Sequence, residues 1–312
     1  MSDDRYRRIA SRVILVRPTG FGFDPETAAS NTFQRDVQDR GTAQAAAEEF
    51  DGLLYALDRM QVGTLVLDPT DPTAPNAVFP NNWFSTHADG TVVLYPMLTP
   101  GRRREVDHEL HRILSAEGYD VTRKLDLTEL TARERFLEGT GSLVLDRKES
   151  IAFAALSPRT SHHAINRWCA LMDHGPVLFT ATMDGTLTGD PVYHTNVVMA
   201  VGDGFALACL DAVPYPADRQ DLLLAFERAG LEFIPISLGE MHAFAGNVLQ
   251  LDAPARPTFL STTAFEALTP SARQRLEHFG QLVPVPIPTI ETIGGGSVRC
   301  MLAENFLPLR QS

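Results

Sequence analysis

Five helix-like segments recur along this chain at intervals of about 55 residues, and a strand-like segment follows each one at once. Apolar side chains fall on one face of each segment, at helical spacing. The predicted helices end near Met60, Gly118, Asp173, Gly230 and Gly280. A recurrence of this kind predicts an internal structural repeat, in which each small unit buries its apolar face against its neighbours.

Six polar residues occupy one phase of this repeat. They are Asn31, Asn82, Glu138, His194, Asn247 and Cys300, separated by 51, 56, 56, 53 and 53 residues. If the units surround an axis, residues at one phase point to one place. Six positions in five units mean that the N-terminal strand and the C-terminal segment complete a single unit. The sequence therefore predicts an α/β fold that is a ring of five units around one central site.

A doubly wound parallel sheet is the commoner architecture for strands that alternate with helices. Its nucleotide-binding form carries a glycine-rich fingerprint, and no GxGxxG or Walker sequence occurs here. The ring is therefore preferred, with residues 1–312 as a single domain. Strands are predicted at 13–16, 62–67, 91–95, 142–145 and 193–201.

Composition restricts the classes of partner. The net charge of −12 and the absence of any Lys or Arg run longer than three residues argue against nucleic acid. The first apolar run has only four residues, too short for a signal peptide or a membrane span, so a cytoplasmic protein with a small-molecule substrate is expected. The three widely spaced cysteines predict neither disulfides nor a structural metal. The oligomeric state stays open, a homo-oligomer included.

Cys300, His194 and Glu138 together offer a nucleophile, an acid/base and a carboxylate. Cys300 follows three consecutive glycines, whose backbone can wrap closely around a small molecule. Singly, each of the three has an ordinary alternative as a buried cysteine, a strand histidine or a solvated turn residue. Their common phase favours chemistry, whereas Cys169 and Cys209 fall on apolar stripes and are expected in the core.

The sequences GGGSVRC, YHTN, LEGTG and FPNNWF resemble the arginine deiminase and amidinotransferase superfamily, the guanidino-group-modifying penteins. The resemblance extends from residue 17 to residue 301. Within the superfamily the chain is most similar to the citrulline utilisation hydrolases, through FGFDPETAASNTFQ, FPNNWFSTH and EMHAFAGN. It implies a pseudo-fivefold ββαβ propeller. It also implies Cys300 as nucleophile, His194 as general acid/base and Glu138 as the carboxylate that holds the substrate nitrogens, with no metal or organic cofactor.

Two departures from the arginine deiminases bear on the substrate. Asn82 stands where they carry an aspartate, and Asn196 replaces the aspartate of their His-x-Asp motif. Both changes remove a negative charge. A guanidinium is always cationic and is best held by carboxylates, whereas a neutral ureido group has a carbonyl oxygen that needs a donor. The asparagines therefore favour a urea-like substrate.

The predicted activity is hydrolysis of L-citrulline to ornithine, carbon dioxide and ammonia. Arginine dihydrolase or arginine deiminase chemistry is the close alternative, and a modified arginine stays open as substrate. A non-catalytic pentein that binds amino acids is a third hypothesis, against which the intact Cys, His and Glu speak. The predicted substrate-binding residues are Asn31, Asn82, Asn196, Asn247 and Arg299.

Overall fold

The computed structural model describes residues 7–37 and 41–310, and its strands form five sheets of three strands each. The strands are β1 (Arg12–Val16), β2 (Gly63–Leu67), β3 (Phe84–Thr86), β4 (Thr91–Leu94), β5 (Arg123–Asp126), β6 (Val144–Asp146), β7 (Ile151–Ala155), β8 (Gly175–Phe179), β9 (Met199–Val201), β10 (Phe205–Ala208), β11 (Glu232–Pro235), β12 (Leu249–Gln250), β13 (Thr258–Ser261), β14 (Leu282–Val285) and β15 (Ala303–Glu304).

The helices range from single turns to five turns. The α-helices are α1 (Pro25–Ala28), α2 (Thr42–Arg59), α3 (Pro100–Arg103), α4 (Leu110–Ala116), α5 (Gly139–Ser142), α6 (His162–Met172), α7 (Thr195–Val198), α8 (Pro216–Arg228), α9 (Leu238–His242), α10 (Thr262–Ala267), α11 (Pro270–Glu277) and α12 (Val298–Met301). Three 3₁₀ segments, Pro80–Asn82, Thr128–Arg133 and Leu210–Ala212, and a π-helical turn at Ile290–Gly294 complete the set in the described residues.

Every sheet repeats one connection pattern. Its first strand is antiparallel to the second, and the second is parallel to the third. A parallel pair needs a long crossover, and α2, α4, α6, α8 and α11 lie in the crossovers of the five units. These are the five helices that the sequence predicts. The result is a mixed α/β fold whose five similar units fit the predicted pseudo-fivefold repeat.

The two ends of the chain share one unit, as the sequence predicts. Strand β15 pairs with β1 in antiparallel register, with Val13 opposite Glu304 and Ile14 opposite Ala303. The C-terminal strand thus takes the place that the first strand occupies in the other four units. Because Cys300 comes just before β15, this pairing fixes the cysteine segment to the N-terminal unit.

Apolar side chains link successive units. One cluster joins Leu15 of the first unit to Phe259 of the fifth, and another joins Ile14 to Phe84 of the second. Tyr95 and Trp168 join the second and third units. The largest cluster joins the third, fourth and fifth units and contains Phe153, Phe205 and Leu260. Helix α2 shows how the pattern arises, because its buried residues recur at three- and four-residue spacing: Thr42, Ala46, Phe50, Leu53 and Leu57.

The predicted strand at 193–201 is wrong over most of its length. Residues Thr195–Val198 form the helical turn α7, and only Met199–Val201 is strand. The prediction at 142–145 is likewise displaced, since Ser142 ends α5 and β6 is Val144–Asp146. The β-branched residues of α7 favour a strand locally, but all four of its side chains are buried, and tertiary packing overrides the local propensity. No helix in the described part of the chain combines the length and the apolarity needed to cross a bilayer.

The turn that contains Glu138 packs tightly against the turn that contains Asn82, and glycine makes this approach possible. Gly139 has φ +48°, and a Cβ built on it would lie 2.2 Å from the carbonyl oxygen of Asn81. Gly118 also has positive φ, +89°, but a Cβ there would meet nothing within 4 Å. Replacing Gly118 by alanine tests backbone strain alone, whereas replacing Gly139 adds a collision with backbone.

We expect Gly118→Ala to lower the free energy of unfolding by about 1 kcal/mol and Gly139→Ala to lower it by about 2 to 4 kcal/mol. The free energies are measured by denaturant unfolding of both variants and of the parent. Equal losses in the two variants would contradict the close approach of the two turns.

Candidate active site

Five of the six residues at the common phase lie just before the first strand of a unit. Asn82 ends the 3₁₀ turn that precedes β3, while Glu138 and His194 are the N-cap residues of α5 and α7, which precede β6 and β9. Asn247 lies two residues before β12, and Cys300 lies in α12 before β15. The shared phase is thus a shared structural position, the turn that enters the first strand.

Asn31 is the exception to this rule. It follows α1 in the first unit, whose first strand, β15, already belongs to Cys300. Its side-chain Nδ2 donates to the carbonyl oxygen of Gly295, 3.0 Å away, and its Oδ1 accepts from the backbone N–H of Phe33. Asn31 therefore holds the glycine segment that leads to the cysteine.

A small buried cavity, named here the cysteine cavity, brings most of these residues together. It is lined by Thr27, Asn31, Asn76, Phe79, Asn82, Arg102, Arg159, Tyr193, His194, Gly294, Gly295, Gly296 and Cys300. Glu138 joins through a hydrogen bond to His194, and Asn247 through a contact with the Cys300 sulfur. Its free volume is about 10 Å³, which is room for about one water, so an amino acid enters only if the wall moves.

Glu138 and His194 form a buried pair. The Oε2 atom of Glu138 lies 2.8 Å from Nε2 of His194, and both residues are 1% exposed. Burial alone raises the pKa of Glu138, but the Arg159 guanidinium, 3.4 Å from Oε2, and the hydrogen bond from His194 outweigh it and hold that pKa well below its usual range. Oε1 also accepts from the backbone N–H of Leu98 at 3.0 Å. Glu138 is thus a carboxylate at neutral pH.

The same pair determines which nitrogen of His194 is a base. A carboxylate only accepts hydrogen bonds, so Nε2 carries the ring proton and donates a hydrogen bond to Glu138. Nδ1 is buried and has no hydrogen-bond partner among the described residues. Burial lowers the pKa of His194 to about 4 against the opposing pull of Glu138, so the imidazole is neutral at pH 7 and Nδ1 is free to accept a proton.

The Cys300 sulfur lies between two asparagine amides. Nδ2 of Asn247 is 3.3 Å from Sγ, and Nδ2 of Asn196 is 3.5 Å from it. Two N–H donors on the sulfur stabilise negative charge there. Asn196 Oδ1 is buried without a partner among the described residues, which leaves one acceptor beside the sulfur. The sequence predicts both asparagines to bind substrate, and the structure places both next to the Cys300 sulfur.

Arg299 does not lie where the sequence predicted it. Its Nη1 donates to the carbonyl oxygen of Leu302 at 2.9 Å, and its Nη2 pairs with Glu304 at 3.0 Å. Successive residues of a helical turn point about 100° apart, so the residue before Cys300 faces a different side of α12. The guanidinium stabilises the start of β15, and substrate binding by Arg299 is corrected to this role.

Sequence reasoning missed the first of two buried arginines in the cavity wall. Arg102 binds Glu105 through Nε, 3.0 Å from each carboxylate oxygen, and through Nη2 at 2.8 Å. Its Nη1 donates to Oδ1 of Asn82 at 2.8 Å. Asn82 in turn donates from Nδ2 to Asn81 at 2.8 Å, so its amide is oriented from both ends. In the sequence the run Arg102–Arg104 is too short for a nucleic-acid footprint, and Glu105, three residues after Arg102, is the only nearby hint of an ion pair.

Arg159 is the second arginine that the sequence did not reveal. It is 1% exposed and donates from Nη2 to the carbonyl oxygen of Thr27 and to Ser30 Oγ, each at 2.8 Å. Its guanidinium also lies 5.1 Å from the centre of the Tyr193 ring. No periodic or motif signal marks Arg159, because its contacts with Thr27, Ser30 and Glu138 are made only in the folded chain.

The charges around the cavity have a definite pattern. Two arginines are among the described residues that line the cysteine cavity, and no aspartate or glutamate is. Glu138 and Glu105 stand behind this lining, each already bound to an arginine. The buried Asp24 also stands behind it and accepts hydrogen bonds from the lining residues Thr27 and Asn76. Within residues 7–37 and 41–310, no group of three or more His, Cys, Asp or Glu side chains is placed to hold a metal ion.

Three comparisons relate this geometry to known proteins. The model of the family described as N,N dimethylarginine dimethylhydrolase, eukaryotic, matches residues 17–307. No curated protein matches by sequence.

The solved structures that resemble the chain include the N-terminal domain of ArgZ, an arginine dihydrolase from cyanobacteria, with a TM-score of 0.74, 14% identity, and coverage of 95% of this chain and 99% of that one. AgrE in complex with L-arginine gives a TM-score of 0.75 and 18% identity, over 98% of this chain and 41% of AgrE. A dimethylarginine dimethylhydrolase (DDAH) from Pseudomonas aeruginosa, in complex with citrulline, gives a TM-score of 0.67 and 14% identity over 95% and 99%.

These structural likenesses agree with the five-unit fold and with the family match over nearly the whole chain. The chain therefore belongs to the N,N-dimethylarginine dimethylhydrolase family, a family of C–N hydrolases within the guanidino-group-modifying pentein superfamily.

Proposed function

We propose that this protein hydrolyses the ureido group of L-citrulline, with Cys300 as nucleophile, and releases ornithine, carbon dioxide and ammonia. The observation that carries the proposal is the lining of the cysteine cavity, which presents amides and two arginines but no carboxylate. A guanidinium in this cavity would face Arg102 and Arg159 with no carboxylate in the lining to bind. A neutral ureido group avoids that repulsion.

The two asparagines beside the sulfur offer a hydrogen-bond acceptor for the N–H groups of a ureido group and a donor for its carbonyl oxygen. Asn196 Oδ1, which has no partner among the described residues, can accept from a ureido N–H. Nδ2 of Asn247 already points at the sulfur and can donate to the carbonyl oxygen as it becomes negative in the transition state.

The chemistry follows from the tautomer of His194. Nδ1 accepts the thiol proton of Cys300, and the thiolate attacks the ureido carbon. His194 then gives this proton to the departing nitrogen, and Glu138 stabilises the imidazolium that exists between the two transfers. Departure of ammonia leaves a thiocarbamate that still carries ornithine, whereas departure of ornithine leaves a carbamoyl-cysteine. Water, deprotonated by His194, hydrolyses either adduct, and the carbamate product loses carbon dioxide.

Arginine dihydrolase activity is the second candidate. ArgZ is described as an arginine dihydrolase and AgrE is seen with L-arginine, and both resemble this fold. The family match adds dimethylarginine as a third substrate to assay. Incubation of the protein with citrulline, arginine and dimethylarginine, followed by analysis of ornithine, citrulline, ammonia and amines, distinguishes the candidates. Ornithine from citrulline supports the proposal; turnover of arginine or dimethylarginine without turnover of citrulline contradicts it.

The finer architecture is part of the same proposal. We infer that the five units close into a ring around the cysteine cavity and that residues 1–312 form one domain. The apolar clusters support this, because they link each unit to the next and the fifth to the first. A cytoplasmic location and a homo-oligomer stay expectations of the sequence.

Replacing the nucleophile should abolish turnover. Cys300→Ser is expected to lower kcat by at least about a thousandfold, because serine at neutral pH is a much weaker nucleophile than a thiolate. Cys169→Ser is the matched control, since burial raises the pKa of the Cys169 thiol to about 11 and keeps it protonated. Ornithine release is the assay. Full activity of Cys300→Ser would contradict the mechanism.

A carboxylate beside the sulfur should change the substrate preference. Asn196→Asp places an anion where an uncharged amide now lies 3.5 Å from Sγ. We expect the ratio of kcat/KM for arginine over citrulline to rise by roughly ten- to a thousandfold, the equivalent of about 1.4 to 4 kcal/mol. Asn166→Asp, on the exposed side of α6, is the control. An unchanged ratio in Asn196→Asp would mean that this position does not sense the charge of the substrate.

The pH dependence should reflect the neutral His194. Because its pKa lies near 4 rather than near 6.5, Nδ1 stays free to accept a proton down to about pH 4. Because the folded-state pKa is depressed, His194 is mostly unprotonated above about pH 4, whereas a histidine with the ordinary pKa is mostly unprotonated only above about pH 6.5. We expect kcat/KM to be half-maximal on the acid side near pH 4 to 5, with circular dichroism at each pH to verify folding. A midpoint at pH 6.5 would contradict this assignment.

A further inference from the structure

A second cavity, named here the outer cavity, lies against the back of the cysteine cavity and has a volume of about 300 Å³. Its walls come from the ends of β1 and β2, the segment 67–70 and helix α4. The apolar lining includes Val16, Leu67, Ala77, Trp83, Leu110 and Ile113. A volume of this size is at the lower end of the range for small-molecule sites.

The two cavities share a wall that is one residue thick. At two places the residue that lines the cysteine cavity is followed directly by one that lines the outer cavity, as Asn82 is by Trp83. The other such pair is Asn76 and Ala77. At a third place Arg102 lines the cysteine cavity, and its ion-pair partner Glu105 lines the outer one.

The charges of the outer cavity have one sign. Three carboxylates line it, those of Asp68, Glu105 and Asp107, and no Lys, Arg or His is among the described residues that do. Arg17 approaches Asp68 at 3.7 Å from outside, and Arg102 reaches Glu105 from the other side of the wall. A ligand that enters therefore meets the partly exposed side chains of Val66, Leu67 and Ile113. The exposed Asp68 and the half-buried Asp107 form the rim, and Glu105 is buried behind it. This arrangement attracts an organic cation and repels an anion.

We propose that the outer cavity binds a small amphipathic organic cation, an ammonium group attached to a hydrocarbon body of about six carbons. The body packs against the partly exposed side chains of Val66, Leu67 and Ile113, and the ammonium group faces the carboxylates. Trp83, which is 3% exposed, also lines the cavity.

A ligand in the outer cavity can affect substrate binding through one series of contacts that links the two cavities. Arg102 is held by three hydrogen bonds to Glu105, and its Nη1 orients Asn82 from 2.8 Å. An ammonium group paired with Glu105 competes with Arg102 for that carboxylate and loosens the orientation of Arg102 and Asn82. The ligand therefore raises the KM for the substrate. This coupling rests on the proposed function, whereas the binding itself does not.

Trp83 provides a direct measurement of binding. The chain has two tryptophans, and the other, Trp168, is fully buried in a different apolar cluster. We expect n-hexylamine to change the tryptophan fluorescence saturably. The matched neutral and anionic compounds, 1-hexanol and hexanoate, should bind at least about tenfold more weakly because they lack the charge that the carboxylates attract. No saturable change with n-hexylamine, or equal affinity for hexanoate, would overturn the proposal.

Two variants locate the site. Asp107→Asn removes a rim carboxylate that is not part of the cysteine cavity, and should weaken n-hexylamine by about threefold. Glu117→Gln, on the residue that follows α4 and outside the outer-cavity lining, is the matched control and should leave the affinity unchanged. Unchanged affinity in Asp107→Asn would place the amine elsewhere, the cysteine cavity included, and would overturn the assignment.

The coupling is tested by the KM for citrulline at increasing n-hexylamine. We expect KM to rise at least about twofold at saturation with kcat nearly constant, and the rise to need more amine in Asp107→Asn. Binding without any change in KM would overturn the coupling. Because the fluorescence measurement needs no turnover, absence of citrullinase activity would contradict the proposed function without affecting the binding result.

Discussion

The hydrogen bond between Glu138 and His194 is the constraint on which the site depends. It buries a carboxylate at 1% exposure, which is costly unless the charge is paired. Arg159 supplies the pairing, and in doing so it ties the Glu138 turn to Thr27 and Ser30 of the first unit. The same bond fixes the His194 tautomer and leaves Nδ1 as the free base. One interaction therefore sets the protonation of the site and holds distant parts of the chain together.

The repeat explains how so many polar groups come to be buried in one place. Each unit delivers a polar residue at the turn before its first strand, where the backbone is still irregular and side chains can point away from the sheet. Buried polar groups are tolerated only when they are bonded, and here asparagines, arginines and carboxylates bond one another across units. The unpartnered atoms beside the sulfur, Asn196 Oδ1 and His194 Nδ1, are the exceptions that a substrate can satisfy.

Sequence patterns predicted the features that depend on residues close together in the chain and missed those that depend on tertiary contacts. Periodicity is a local signal repeated five times, and it correctly anticipated the five crossover helices, the shared first unit and the convergence of the six residues at one phase. It could not anticipate Arg102 or Arg159, whose partners are fixed only by tertiary contact. It misplaced Arg299, because adjacency in sequence to Cys300 does not mean the same face of a helical turn. The predicted strand at 193–201 is wrong because tertiary packing of four buried residues, three of them β-branched, produces the helical turn α7.

In the proposed reaction Cys300 attacks the carbon of a neutral ureido group. Rapid quenching of the protein with citrulline labelled at the ureido carbon, followed by peptide mass spectrometry, measures this directly. We expect transient label on the peptide that contains Cys300, and this label should decay as ornithine and labelled carbon dioxide appear. Formation of ornithine with no label on that peptide at any quench time, or label attached to another residue, would contradict it.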